Sequence, residues 1–253
     1  VVVKAVLFDL GDTLIESSRS AYEAFSRIIA CEGIDVSLEE VKKAFILARE
    51  ELGDELNKVR GKIPSSEVHN VLNLQVLTIL GIQDGGTLVD ILDQQWPRTG
   101  GTQVYPDVHP ALAMLKRNGI KTGIVSNVYE AQIHKKCHLA GLDQQGFDIY
   151  VGADTVQKAK PDPAIFVYAL EQLRIRAEEA VYVGDDLEHD YRAAERVGMH
   201  PLLLVRGTGD IPDGVRHIRR LTALQDFVDE SSEEGVSGNT GHRAVNRCHL
   251  HKR

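Results

Sequence analysis

From Tyr105 onward, apolar runs of strand length alternate with amphipathic runs of helix length. "PDVHPALAMLKRNG" reads as a helix, "IKTGIVS" as a strand, "YEAQIHKKCHLAGL" as a helix and "FDIYVGAD" as a strand. The order continues with "DPAIFVYALEQLRI" as a helix, "AVYVGDD" as a strand, "DYRAAERVGM" as a helix and "PLLLV" as a strand. Such alternation with short joins predicts an α/β fold, a doubly wound parallel sheet covered by helices on both faces. The first ten residues, Val1 to Leu10, add a β-branched apolar run interrupted by Lys4 and, near its end, by Asp9, which fits one more strand buried on both faces.

Between these parts the pattern changes. Residues from about Ser18 to Trp96 show no strand signal but several helical ones: "SRSAYEAFSRIIACEG", "SLEEVKKAFILAREELG" and "SSEVHNVLNLQVLTILG". Ser37 followed by Glu40 forms a capping-box signature, and Gly33, Gly53 and Gly81 are stop signals. The expected organisation is an α/β core of residues 1–16 and 99–228, with a helical module of residues 17–98 inserted after the first strand. Residues 229–253 are nearly devoid of apolar side chains and are expected to form a disordered tail. His242, His249 and His251 lie there with Cys248; a short His-rich tract of this kind is a compositional signal and is read as tail rather than as a metal site.

A net charge of −8 argues against nucleic acid or an anionic membrane surface as partner, since both favour basic patches. The apolar runs are strand-sized, too short to span a bilayer. The cysteines, Cys31, Cys137 and Cys248, are odd in number and widely spaced, which suggests neither a disulfide framework nor a zinc site. A cytoplasmic location is the expectation.

In a doubly wound sheet, ligands gather at the carboxyl ends of the strands. Four polar clusters fall there: Asp9 to Thr13 after the first strand, Ser126 and Asn127 after "GIV", Lys160 opening "KPDPAIF", and Asp185, Asp186 and Asp190 after "VYVG". In this order and spacing, over roughly residues 4 to 206, the clusters resemble those of the haloacid dehalogenase superfamily, in the branch with a helical cap inserted after the first strand, similar to phosphoglycolate phosphatases. The resemblance implies a Rossmann-like core, Mg²⁺ as cofactor and a small phosphorylated metabolite as substrate.

Carried over residue by residue, the resemblance makes Asp9 the nucleophile that forms an aspartyl-phosphate, a covalent intermediate that divides one difficult displacement into two. Asp9, the carbonyl of Gly11 and Asp185 would hold Mg²⁺, with Asp186 and Asp190 completing or orienting the site. Ser126 would donate to a phosphoryl oxygen together with the backbone N–H groups of Asn127 and Val128 at a helix start. Lys160 would neutralise phosphate and nucleophile; Lys158 competes for that role by proximity only. Caps at the next helix are the alternative use of Asp186 and Asp190.

One position departs from the family. The acid/base aspartate stands two residues after the nucleophile, where this chain has Gly11; Asp12 lies one residue too far along to replace it directly and is left as a catalytic candidate acting through a water, beside a group from the cap or the substrate. General acid–base chemistry needs hydrogen-bond reach of about 3 Å. A phosphatase short of its acid is therefore the favoured reading. The alternatives are other chemistry on the same fold, as a phosphonatase or 2-haloacid dehalogenase, and a catalytically quiet protein that binds a phospholigand or a protein partner. A phosphonatase would need a cap lysine, for which Lys42, Lys43, Lys58 and Lys62 stand in the right region. The segment 57–66, with Lys58, Arg60 and Lys62, is expected as an interhelical loop or as a contact to a second anionic group. The oligomeric state is left open, because the cap helices can satisfy their apolar faces on one another.

Overall fold

The computed structural model describes residues 2–59, 63, 65–83, 85–143, 146–208 and 211–228. The tail from residue 229, with its histidines and Cys248, lies outside the described residues, as do Arg60, Lys62 and the side chain of Lys58.

The chain runs β1 (Ala5–Phe8), β2 (Ile15–Ser17), α1 (Ala21–Cys31), α2 (Leu38–Val59), α3 (Ser65–Ile79), α4 (Gly85–Thr99) and β3 (Thr102–Val104). It continues with α5 (Val108–Arg117), β4 (Lys121–Val125), α6 (Glu130–Ala140), β5 (Ile149–Val151), α7 (Ala164–Leu173), β6 (Ala180–Gly184), α8 (Ala193–Val197), β7 (His200–Leu204) and β8 (His217–Ile218). Six strands form one parallel sheet in the order β5-β4-β1-β6-β7-β8. With β1 in the middle, the chain builds outward to β4 and β5 on one side and to β6, β7 and β8 on the other. The carboxyl end of β1 is thus the switch point where such sheets bind ligands.

The period of two along β1 decides how the sheet is covered. Val6 and Phe8 face a core completed by Val108, Leu112 and Leu115 of α5 and Ile133 and Cys137 of α6. Ala5 and Leu7 face Ile165, Phe166 and Leu170 of α7 and Ala193 and Ala194 of α8. Burial on both faces explains the unbroken apolar run. The strand itself is shorter than the run, because Val2 is half exposed and the ladder starts only at Ala5.

Helices α1 to α4 pack on one another through Phe25, Ile28, Phe45, Val76, Leu77 and Leu92, a core separate from both faces of the sheet. Ser37 and Glu40 make the reciprocal capping contacts that their spacing predicts. Ser20 and Glu23 do the same at α1, a second capping box. The sequence patterns mark three helices in this region; α4 is a fourth, hidden by Gly85, Gly86 and Pro97 in "GGTLVDILDQQWPRT". The short strands β2 and β3 pair antiparallel, Ile15 with Val104 and Ser17 with Thr102, where chain enters and leaves the helical part. That pairing includes Ser17, one residue past the expected edge of the core segment. No helix among the described residues is long and apolar enough to cross a membrane.

Candidate active site

The chain leaves β1 through a tight loop. Leu10 stays buried as an anchor, and its carbonyl accepts from the N–H groups of Leu14 and Ile15, while the Asp12 N–H donates to the Ile15 carbonyl at 2.8 Å. Asp12 adopts a left-handed φ of 54°. Arg206 braces the loop from outside: it donates to the Thr13 carbonyl and to Asp107, and stacks 3.6 Å from the Tyr105 ring centroid. Asp9 is therefore held at a fixed strand end.

Lys160 reaches Asp9 from the loop after β5. Its Nζ donates to Asp9 Oδ1 at 2.6 Å and to Asp190 Oδ1 at 2.6 Å, and to the Tyr182 hydroxyl at 3.0 Å. The Asn127 side chain fixes the lysine's backbone, accepting from its N–H at 2.6 Å and donating to its carbonyl at 3.0 Å. The resemblance gives Asn127 a phosphate contact through its backbone N–H, and committing its side chain to Lys160 leaves that N–H out of the lysine clamp. Its backbone N–H and that of Val128 find no backbone acceptor among the described residues and stay available where α6 approaches. Ser126, 5% exposed, shares a cavity with Asp9.

Asp190 packs against the end of β6. Its carboxyl fills the space where any side chain at Gly184 would project, 2.3 Å from an added Cβ, so only glycine fits there. Its other oxygen accepts from the Asp186 N–H at 3.1 Å. The Asp186 carboxylate turns away and caps the tight turn Leu187–Arg192, accepting from Glu188 and His189 N–H. Although partial burial works the other way, those bonds hold Asp186 below the usual carboxylate range. Asp186 thus orients Asp190 through its backbone, and its side chain does not join the acidic cluster.

That cluster is Asp9, Asp185 and Asp190, with one oxygen of each within 4.8 Å of the others. Asp185 is exposed toward the cavity, yet partial loss of hydration beside the cluster, followed by the charges of Asp9, Asp190 and Asp12, pushes it up to about 7. Burial also raises Asp9 to about 6 against the opposing pull of Lys160. Burial would lower Lys160, but Asp190 and Asp9 outweigh it and hold the ammonium charged. One buried cation faces three carboxylates. The hard oxygen donors and their unbalanced charge suit a small divalent cation.

The raised values set a pH dependence. An acid whose folded pKa exceeds its unfolded value of 3.8 binds more protons when folded, so its contribution to stability falls as pH rises from about 4 through 7. In metal-free buffer, Asp185→Asn is expected to raise the Tm above wild type at pH 8 and to leave it near wild type at pH 4. Thermal unfolding at the two pH values checks this; a difference independent of pH would refute the assignment of the cause.

Two adjoining cavities open above the cluster. One, about 640 Å³, runs from Asp9, Gly11 and Asp185 to Arg49 and His69 of the helical part. The other, about 330 Å³, joins Asp9, Ser126 and Lys136 to His69 and Trp96. Asp12 borders both without entering the acidic cluster. Lys158 points elsewhere, 3.8 Å from Asp162, and Lys42 and Lys43 line neither cavity. Tyr182 and Lys136 belong to the site without any mark in the sequence. A tyrosine inside a buried strand reads as bulk, and a lysine in a mixed helix reads as solvated.

The chain as a whole is similar to known proteins. The haloacid dehalogenase-like hydrolase profile matches residues 3–198. A glyceraldehyde 3-phosphate phosphatase of Methanopyrus kandleri is 32% identical over 92% of this chain and 100% of its own. A phosphoglycolate phosphatase of Yersinia pestis is 25% identical over 78% of each chain. The crystal structure of a HAD phosphatase from Thermococcus onnurineus superposes with a TM-score of 0.60 and 28% identity, over 89% of this chain and 98% of that one. The chain belongs to the haloacid dehalogenase-like hydrolase family.

Proposed function

We propose that this hydrolase is a Mg²⁺-dependent phosphatase that cleaves a small phosphorylated metabolite through an aspartyl-phosphate on Asp9. The observation that carries the proposal is the meeting of Asp9, Lys160, Asp185 and Asp190 at one sheet edge beneath a cavity that also holds Ser126. The phosphatase relatives support the same reaction class.

Asp9, Asp185 and Asp190 would hold the metal with the Gly11 carbonyl, Asp186 keeping Asp190 in place. When bound, Mg²⁺ supplies charge neutralisation and polarises a phosphoryl oxygen. The Ser126 hydroxyl and the N–H groups of Asn127 and Val128 orient the phosphoryl group. Asp9, ionised above pH of about 6, attacks phosphorus as the bond to the leaving oxygen breaks. Gly11 offers no proton, so the leaving oxygen takes one from water. A second water then displaces Asp9 and releases phosphate. Lys160 balances the charge of Asp9 throughout. Helices α1 to α4, acting as the cap, would exclude bulk water and present Arg49 and His69 to the organic part of the substrate.

The test is phosphate release from p-nitrophenyl phosphate and acetyl phosphate, with Mg²⁺ and with EDTA. Turnover with Mg²⁺ and its loss in EDTA are expected. A protein whose Tm rises with Mg²⁺ but which releases no phosphate from either compound would end the phosphatase reading.

A further inference from the structure

Lys136 is a cation without a partner in the nucleophile's own cavity. It lies on α6, one turn beyond Gln132 and on the same face. Gln132 donates to Asp93 at 3.2 Å, and Lys135 donates to the Gln94 carbonyl at 2.6 Å, so both neighbours tie α6 to α4. Lys136 makes no hydrogen bond and no ion pair among the described residues. Its side chain is half-buried and, leaning toward the start of its helix as helical side chains do, borders the cavity lined by Asp9, Ser126 and Asn127.

Burial shifts the Lys136 pKa downward, and the nearest charges, Asp9, Asp93 and Asp12, attract the ammonium only from beyond ion-pairing distance. A partly desolvated ammonium with no acceptor is costly unless a ligand supplies one. Lys160 cannot serve a ligand in the same way, because its three donors already meet Asp9, Asp190 and Tyr182. A phosphoryl group at Asp9 has Ser126 and two backbone N–H groups at hand. Lys136 is the cation left over for a second anionic group.

We infer that Lys136 binds a carboxylate of the substrate, which makes the preferred substrates phosphorylated small acids rather than phosphorylated aldehydes or alcohols. The inference rests on the phosphatase reading and narrows it. The proposed contact is a charge-assisted hydrogen bond from Nζ to a carboxylate oxygen a few atoms from phosphorus.

Two matched pairs test it: 2-phosphoglycolate against ethyl phosphate, and 3-phosphoglycerate against glyceraldehyde 3-phosphate. Each is measured as a competitive inhibitor of p-nitrophenyl phosphate turnover by the Mg²⁺-loaded protein, which requires no rapid cleavage of the compound itself. Wild type should bind the acid of at least one pair more tightly. Lys136→Met should lower that preference by about 10- to 100-fold, and Lys136→Arg should keep most of it. Thermal unfolding of both variants establishes that they fold. No preference in wild type, a preference that survives in Lys136→Met, or equal losses on both members of a pair would overturn the assignment. Should neither p-nitrophenyl phosphate nor acetyl phosphate be turned over, the phosphatase reading fails, and ligand-induced Tm shifts give the same preference ratio for Lys136 independently.

Discussion

Asp9→Asn is expected to reduce turnover of p-nitrophenyl phosphate by roughly 10⁴- to 10⁶-fold while leaving the protein folded. The amide keeps the shape of the carboxylate and can still accept from Lys160, so the local geometry survives. It removes the anion that must attack phosphorus. Folding should not suffer, because Asp9 is 9% exposed and burial already works against its charge. Lys160 retains Asp190 as partner at 2.6 Å. Steady-state rates with Mg²⁺, mass spectrometry to exclude deamidation, and thermal unfolding together make the measurement. An Asp9→Asn variant that keeps more than about a hundredth of wild-type activity would rule out a covalent route through this residue.

The sheet was legible because burial on both faces leaves a strong mark: unbroken apolar runs separated by amphipathic stretches. The strands that escaped are the ones with too few residues to show a period. β2 and β3 have three residues each and β8 has two. α4 begins with two glycines and contains a proline, so the usual start and stop signals point against it.

The site was legible to the extent that strand ends mark it. Asp9, Ser126, Lys160, Asp185 and Asp190 all follow strands, and the fold carries them to one edge. Which polar side chain does which task was not legible. Asp186 reads equally as ligand or cap in the chain, and its carboxylate caps a turn; the Asn127 side chain, to which the sequence assigns no task, clamps the backbone of Lys160. Adjacent lysines at 135 and 136 are equivalent to any pattern, and only the rotation of α6 against α4 sends one to Gln94 and the other into the cavity. Tyr182 carries its hydroxyl into the Lys160 network from a strand whose other residues are apolar.

Gly11→Asp is expected to raise kcat/KM for alkyl phosphates by about 10²- to 10⁴-fold, the usual worth of a positioned acid, while p-nitrophenyl phosphate and acetyl phosphate gain far less. The backbone permits the change: Gly11 lacks a left-handed φ, and a Cβ built on it meets no atom within 4 Å. The residue that does need the left-handed conformation is Asp12, which is why its carboxylate is displaced along the loop and does not join the cluster. A carboxylate introduced at this position stands two residues past the nucleophile and opens directly onto the cavity above Asp9. The selectivity of the gain is the decisive part. An alkoxide is a poor leaving group that benefits from protonation as the bond breaks, whereas p-nitrophenolate and acetate depart without help. A uniform gain would indicate better metal binding from an added carboxylate, and no gain in a folded variant would mean that another group already supplies the proton. Acceleration confined to the poor leaving groups would identify Gly11 as the reason the wild-type site works without its acid.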